Sequence, residues 1–204
     1  LKAGQRRPTR WAAERDRRHE RAASSRYVSP HMTGYEDLAT HGAWHTTPDY
    51  GAVWVPTRVA PGWAPYRNGH WTWISPWGWT WVDDAPWGFA PFHYGRWVFM
   101  NDYWAWAPGP IVRRPVYAPA LVAFVGGAHW SVSVGRGPAI GWFPLGWREP
   151  YIPAYRASPA HVRSVNVTHV TNVTTVYNTI NTTDIVYVNR NNPRAVTVVP
   201  QQAF

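Results

Sequence analysis

Chemistry in this chain would have to come from a few histidines and carboxylates, and their spacing argues against most of it. His41 and His45 would share a face if they lay on a helix, and could then hold a metal. Gly42 and Trp44 instead place them at a turn or on a strand. Asp83 and Asp84 offer a carboxylate pair for glycoside hydrolysis or a Ca²⁺ site. Neighbours on a strand point to opposite faces, however. The other acids between residues 42 and 109 are Asp49 and Asp102 alone, so turn and capping roles are expected. No serine stands in a Gly-x-Ser-x-Gly elbow, and no loop is built to cradle phosphate. Cysteine is absent, which excludes disulfides and thiolate metal sites. These residues predict a protein that is not an enzyme and takes no metal or cofactor.

Tryptophan is the remaining resource. Twelve of the 16 Trp lie between Trp44 and Trp106, and they recur with a period. Gly62-Trp-Ala-Pro-Tyr-Arg-Asn-Gly-His-Trp-Thr-Trp-Ile74 aligns without a gap on Gly88-Phe-Ala-Pro-Phe-His-Tyr-Gly-Arg-Trp-Val-Phe-Met100, at an offset of 26. A shorter unit alternates with it, as Val53-Trp-Val55, Trp79-Thr-Trp-Val82 and Trp104-Ala-Trp106. Such spacing marks a repeat architecture. Within it, His70 and His93 hold non-equivalent places, where Arg96 replaces one and Arg67 the other. That exchange of His for Arg predicts polar strand-edge roles and not ligation.

Alternation of Trp with smaller residues has the period of a strand. Residues 70–74 and 79–82 read as a hairpin whose loop ends at Gly78, which would set Trp73 opposite Trp81. Asn101 and Asp102, both tolerant of positive φ, read as a two-residue turn. That turn pairs Met100 with Tyr103, Phe99 with Trp104 and Trp97 with Trp106. Counting gives six strands, at 43–46, 51–55, 70–74, 79–82, 96–100 and 103–107. The predicted fold is all-β: a small Trp-rich domain of β-hairpins, a meander closing into a barrel-like or twisted sheet. A short N-terminal helix precedes it and a long extended C-terminal arm follows.

Several strings are distinctive: Gly-Trp-Ala-Pro-Tyr-Arg (62–67), Pro-Trp-Gly-Trp-Thr-Trp-Val (76–82), Ala-Pro-Phe-His-Tyr-Gly-Arg-Trp (90–97), Tyr-Val-Ser-Pro-His-Met-Thr-Gly-Tyr (27–35) and Tyr-Ala-Pro-Ala-Leu-Val-Ala-Phe-Val-Gly-Gly (117–127). Through them the chain resembles, over about residues 27–200, a Trp-rich domain of unknown function. That domain occurs in exported Gram-negative proteins, often downstream of a FecR-like domain. The resemblance implies a periplasmic, secreted or envelope location and brings no activity or catalytic residues. The chain opens on Leu1 with no FecR-like part, which predicts a piece of a longer protein. Three Asn-x-Thr sequons, at Asn166, Asn172 and Asn181, are then strand-compatible polar residues.

With 204 residues, 20 Pro and 16 Gly, long helices and a large regular sheet are not expected. No apolar run reaches membrane-spanning length. Net charge is +9, but residues 1–26 hold nine Lys or Arg against three acids, or +6, leaving +3 for the other 178. Basicity therefore belongs to an arm. Residues 10–23 read as a helix with Glu14 and Arg18 spaced as an i,i+4 pair. Aromatic interleaving in this arm is limited to Trp11, so nucleic acid is not the expected partner.

Residues 161–199 change character. A six-residue beat of Asn, Thr and Val carries no Gly or Pro from His161 to Asn192, and its β-branched content argues for extended chain. Such a strand has to pair with the domain, a copy of itself or another protein. The organisation expected is a basic arm (1–26), a Trp-rich hairpin domain (27–110), a Pro/Gly-rich wrapping segment (111–160) and an extended arm (161–204). Docking falls to Arg15, Arg18, Val165, Val167, Val173, Tyr177, Ile185 and Tyr187. Trp71, Trp73, Trp79, Trp81, Trp97 and Trp106 form a row that is either core or binding face, with Thr72, Thr80, Val98 and Ala105 too small to make a better core. The expected function is a structural and interaction protein of the bacterial envelope, an accessory subunit strapping a larger, membrane-associated assembly. The alternative is a glycan or peptidoglycan binder using surface Trp.

Overall fold

The computed structural model describes residues 23–125, 133–134, 137–153, 157–170 and 185–201. A 3₁₀ turn at Tyr35–Asp37 and a one-turn helix, α1 (Leu38–His41), lead into β1 (Gly42–Thr47) and β2 (Gly51–Pro56). The hairpin β3 (Gly69–Ile74) and β4 (Gly78–Asp83) follows, then a short buried helix α2 (Phe89–His93), then β5 (Arg96–Met100) and β6 (Tyr103–Ala107). All six expected strands form, each within two residues of its expected ends. Beyond them come β7 (Val122–Val125), β8 (Ser133–Val134), β9 (Gly137–Pro144), helix α3 (Pro159–Asn166) and β10 (Thr197–Pro200).

The strands make an antiparallel sheet in the order β1-β2-β6-β5, a second in the order β10-β9-β7 with β8 also on β9, and the two-stranded ribbon β3-β4. Trp44 pairs with Trp54, Trp54 with Trp106, and Trp106 with Trp97. One indole from each of four strands thus stands in a single transverse row. The second hairpin has the register its turn demands: Asn101 and Asp102 take φ 47° and 66°, and Met100 faces Tyr103. In the first hairpin the register differs from expectation. Trp73 faces Trp79 and Trp71 faces Trp81, because left-handed Gly78 closes the ladder opposite Ile74 and leaves the turn to Ser75-Pro76-Trp77.

Both faces of the first sheet are covered. Trp54, Trp97 and Trp106 are at most 1% exposed on one side. On the other, Val53, Val98, Ala105 and Ala107 pack beneath Tyr50, Val55, Met100 and Trp147. The small residues that seemed too slight for a core therefore make a second, thinner one. A large ring laid over a small side chain fills the gap as well as two medium ones would.

Tryptophan suits this core because each indole carries one N–H that can fasten a loop. Trp54 donates to the Leu38 carbonyl, Trp97 to Pro91, Trp106 to Tyr94 and Trp142 to Tyr66, at 2.7–3.0 Å. The short helices and turns over the sheet are tied down by the rings they cover. The repeat's equivalent glycines, Gly69 and Gly95, belong to the same design: a Cβ at either would collide with the indole of Trp81 or Trp106 on the partner strand.

Residues 161–166 lie in α3, not in extended chain. Ser158 accepts from the His161 amide as N-cap, Pro159 sits in the first turn, and these local start signals outweigh the β-branched composition. The far end of the same stretch does pair with the domain, since β10 runs antiparallel to β9 from Thr197 opposite Trp142 to Pro200 opposite Ala139. The expected N-terminal helix up to residue 22 lies outside the described residues; Ala23 and Ser24 are helical.

Candidate functional site

The six tryptophans expected to share a face divide between core and surface. On β3 and β4, Trp71, Trp73, Trp79 and Trp81 occupy one side of the ribbon as two facing pairs. Trp81 is 1% exposed and meets Trp71 edge-on at 5.4 Å, while Trp71 packs against Trp142 at 5.6 Å and Phe124 at 5.3 Å. One step toward the turn the cover ends. Trp73 is 64% exposed and Trp79 42%, their rings perpendicular at 5.6 Å. Ile74 beside them is also exposed. Trp97 and Trp106 belong wholly to the core. The result is an aromatic row anchored at one end and presented to solvent at the other.

Position along the ribbon sets this division. Asp83 accepts from the Trp81 indole N–H and from the Ala85 amide, both at 3.0 Å, so it closes the ribbon's base as a turn residue, as expected. Burial raises its carboxyl to about 6, with Asp84 adding to the shift and the two hydrogen bonds opposing it. Thr80 is buried on the ribbon's other face. The base is fixed, and the Trp73–Trp79 pair nearer the turn is the exposed one.

A buried polar cluster lies at the start of β5, and Arg96, expected at a strand edge, stands inside it. Arg96 is 1% exposed and donates to the carbonyls of Glu149 (3.0 Å) and Gly95 (2.8 Å) and to Asn166 Oδ1 (3.4 Å). Burial pulls the guanidinium down to about 10. The Glu149 carboxylate accepts from the amides of Gly146 and Val188, and Asn166 exchanges hydrogen bonds with both backbone groups of Tyr151. Asn189 donates to the carbonyls of Trp97 and Pro144. These side chains bind residues from three separate stretches of chain to β5. His93 is likewise interior: its Nδ1 lies 2.9 Å from the Ala118 carbonyl, its ring stacks on Tyr117, and burial lowers it to about 4. Arg67 and His70 are exposed. The His/Arg exchange of the repeat thus separates two surface groups from two core groups.

His41 is held by Thr40 and the Asp37 carbonyl, and among the described residues no group of three His, Asp or Glu is placed to hold a metal. Of the expected docking residues, Arg15, Arg18, Val173 and Tyr177 lie outside the described residues. Val165 is buried on the inner side of α3, in a small cluster with Leu121, Leu145 and Tyr151. Tyr187 packs on Phe143 at 5.5 Å, Ile185 is half-buried, and Val167 is exposed. Among the described residues, no helix is long and apolar enough to cross a membrane.

Comparison with curated proteins and with solved structures gives no match. The family of unknown function DUF6600 matches residues 35–149, more than half of the chain and the whole of the hairpin repeat, and the chain belongs to that family.

Proposed function

We propose that the chain is a non-enzymatic structural and interaction protein of the bacterial envelope, an accessory subunit that docks on a protein partner through the tip of the β3–β4 ribbon. One observation carries this reading: Trp73 and Trp79 are exposed although they continue a row of packed indoles. Paired large rings on a rigid support are what protein hot spots are built from. Support also comes from the buried ionisable groups. Arg96, Glu149 and His93 each hold backbone, joining segments to one another. The envelope location rests on the resemblance to exported Gram-negative proteins.

A second reading, a neutral glycan such as the peptidoglycan backbone, is favoured by the ribbon's lack of charge. From Gly69 to Val82 there is no Asp, Glu, Lys or Arg, and an apolar sugar face stacks on an indole without needing one. A photo-crosslinking residue at position 73, with exposed position 58 as control, separates the two. Protein adducts formed from 73 and not from 58 support the docking subunit. Sedimentation with purified peptidoglycan, abolished in Trp73→Ala/Trp79→Ala, supports the glycan. If neither occurs, the ribbon tip is not the binding surface.

A further inference from the structure

A cavity of about 230 Å³ lies between the start of β5, the segment Pro108–Val116 and the end of α3. Much of its wall is apolar, from Val28, Met32, Ile111, Val116, Leu121 and Val165. Arg96, Arg114 and His169 also line it, and among the described residues no Asp or Glu does. A mostly apolar hollow with a few convergent polar groups is the usual form of a small-molecule site.

Two of those polar groups are short of partners. His169 is 9% exposed, yet its Nδ1 has no hydrogen-bond partner among the described residues. Its ring lies over Gly109, where a Cβ would come within 2.6 Å of Cε1, and where φ is +81°. Glycine at 109 therefore makes the room in which the imidazole sits. A guanidinium has five N–H donors, and the bonds from Arg96 to described residues occupy three of them. The nearby Glu149 carboxylate is turned to the amides of Gly146 and Val188 and does not line the cavity. Exposed Arg114 adds positive charge at the rim.

We propose that this cavity binds a small monocarboxylate with an apolar body, its carboxylate between Arg96 and His169 and its hydrocarbon against Met32, Ile111, Leu121 and Val165. A carboxylate accepts charge-assisted bonds from both donors, with His169 as the neutral tautomer that carries its proton on Nδ1. Size limits the ligand. A cavity of about 150 Å³ holds benzene, so this one suits a single substituted ring or a short acyl chain.

Titration calorimetry on the full chain tests this with octanoate, 3-phenylpropionate and, as the uncharged counterpart, 1-octanol. At least one acid should bind saturably with one-to-one stoichiometry, and 1-octanol at least tenfold more weakly than octanoate. Preference between the two acids separates an acyl chain from an aromatic ring. His169→Ala should weaken the bound acid about tenfold. Ile111 is 56% exposed at the rim, so Ile111→Glu and Ile111→Lys should both fold normally and lose the same apolar contact, but the Glu variant should bind the acid several-fold more weakly than the Lys variant. This pair decides alone should His169→Ala fail to fold. Trp73→Ala should change nothing. The proposal is overturned if neither acid saturates, if 1-octanol matches octanoate, if the two Ile111 variants bind alike, or if Trp73→Ala abolishes binding.

Discussion

Tyr66 and Phe92 stand at the same place in two copies of the repeat, and they touch. Their rings meet edge to face at 4.7 Å, and the Tyr66 hydroxyl donates to the Phe92 carbonyl at 2.8 Å. The copies do not share a backbone there: Tyr66 takes φ +60° in a turn, while Phe92 lies in α2. Two equivalent aromatics thus meet at the centre by differing in conformation, and the repeat closes on itself.

The Tyr66 hydroxyl also accepts from the Leu121 amide at 3.1 Å, so it ties the repeat to the strand that begins the second sheet. Tyr66→Phe keeps the ring and orphans a buried carbonyl and a buried amide. Each orphan costs roughly 1–3 kcal/mol. Urea denaturation should show a loss in that range or somewhat above it, with unchanged far-UV circular dichroism. A loss below about 0.5 kcal/mol would mean that the hydroxyl bridges nothing.

Trp73→Ala and Trp81→Ala should separate by roughly 3 kcal/mol or more. Trp81 is 1% exposed and packed by Trp71, Trp142 and Tyr66. Truncating a buried aromatic costs roughly 3–5 kcal/mol. Trp73 lies mostly in solvent, and its removal should stay within about 0.5 kcal/mol. Equal losses from the two variants would show that the ribbon tip is core and leave no ring free for docking.

This contrast also shows what the sequence could reveal. Period-two tryptophans and the Asn101-Asp102 turn determined the strands and, for Trp97 and Trp106, the pairing itself. They could not show that Trp73 and Trp97 differ, because an alternating pattern identifies a face and not what covers it. The cover comes from Phe124, Trp142 and the segment around Leu38, which share no period with the repeat. Arg96 was illegible for a related reason. A buried arginine is set by partners 53 and 70 residues away, and nothing local announces them.

Arg96→Met tests that long-range cluster. The substitution strips the donor from the Glu149 and Gly95 carbonyls and from Asn166 Oδ1. Relief from burying a cation offsets part of this cost, so a net loss of roughly 1–3 kcal/mol is expected. The distinguishing sign is local. Limited proteolysis should release residues 157–170 before it cuts the hairpins, whereas exposed Arg67→Met should leave the cleavage pattern unchanged. Uniform cleavage in both variants would remove Arg96 from its joining role.

Two buried groups should give opposite pH signatures. Burial holds His93 at about 4 against an ordinary 6.5. The unfolded chain therefore takes up its proton first as pH falls, and the stability that His93 contributes is complete above 6.5 and lost between 6.5 and 4. Asp83 is held at about 6 against 3.8. Its contribution is complete below 3.8 and lost as pH rises through 6. At 1.36 kcal/mol per unit, the 2.5 units for His93 set a ceiling of about 3 kcal/mol, and the 2.2 units for partly buried Asp83 a lower one. Denaturation of wild type, His93→Gln and Asp83→Asn at pH 7, 5.5 and 4 isolates each group, since every other titration is common to the pairs compared. From pH 7 to pH 4 the His93→Gln deficit should shrink and the Asp83→Asn deficit should grow. Parallel curves for either variant would mean that its side chain is solvated in the folded chain, and that the turn or helix it is taken to anchor is held by something else.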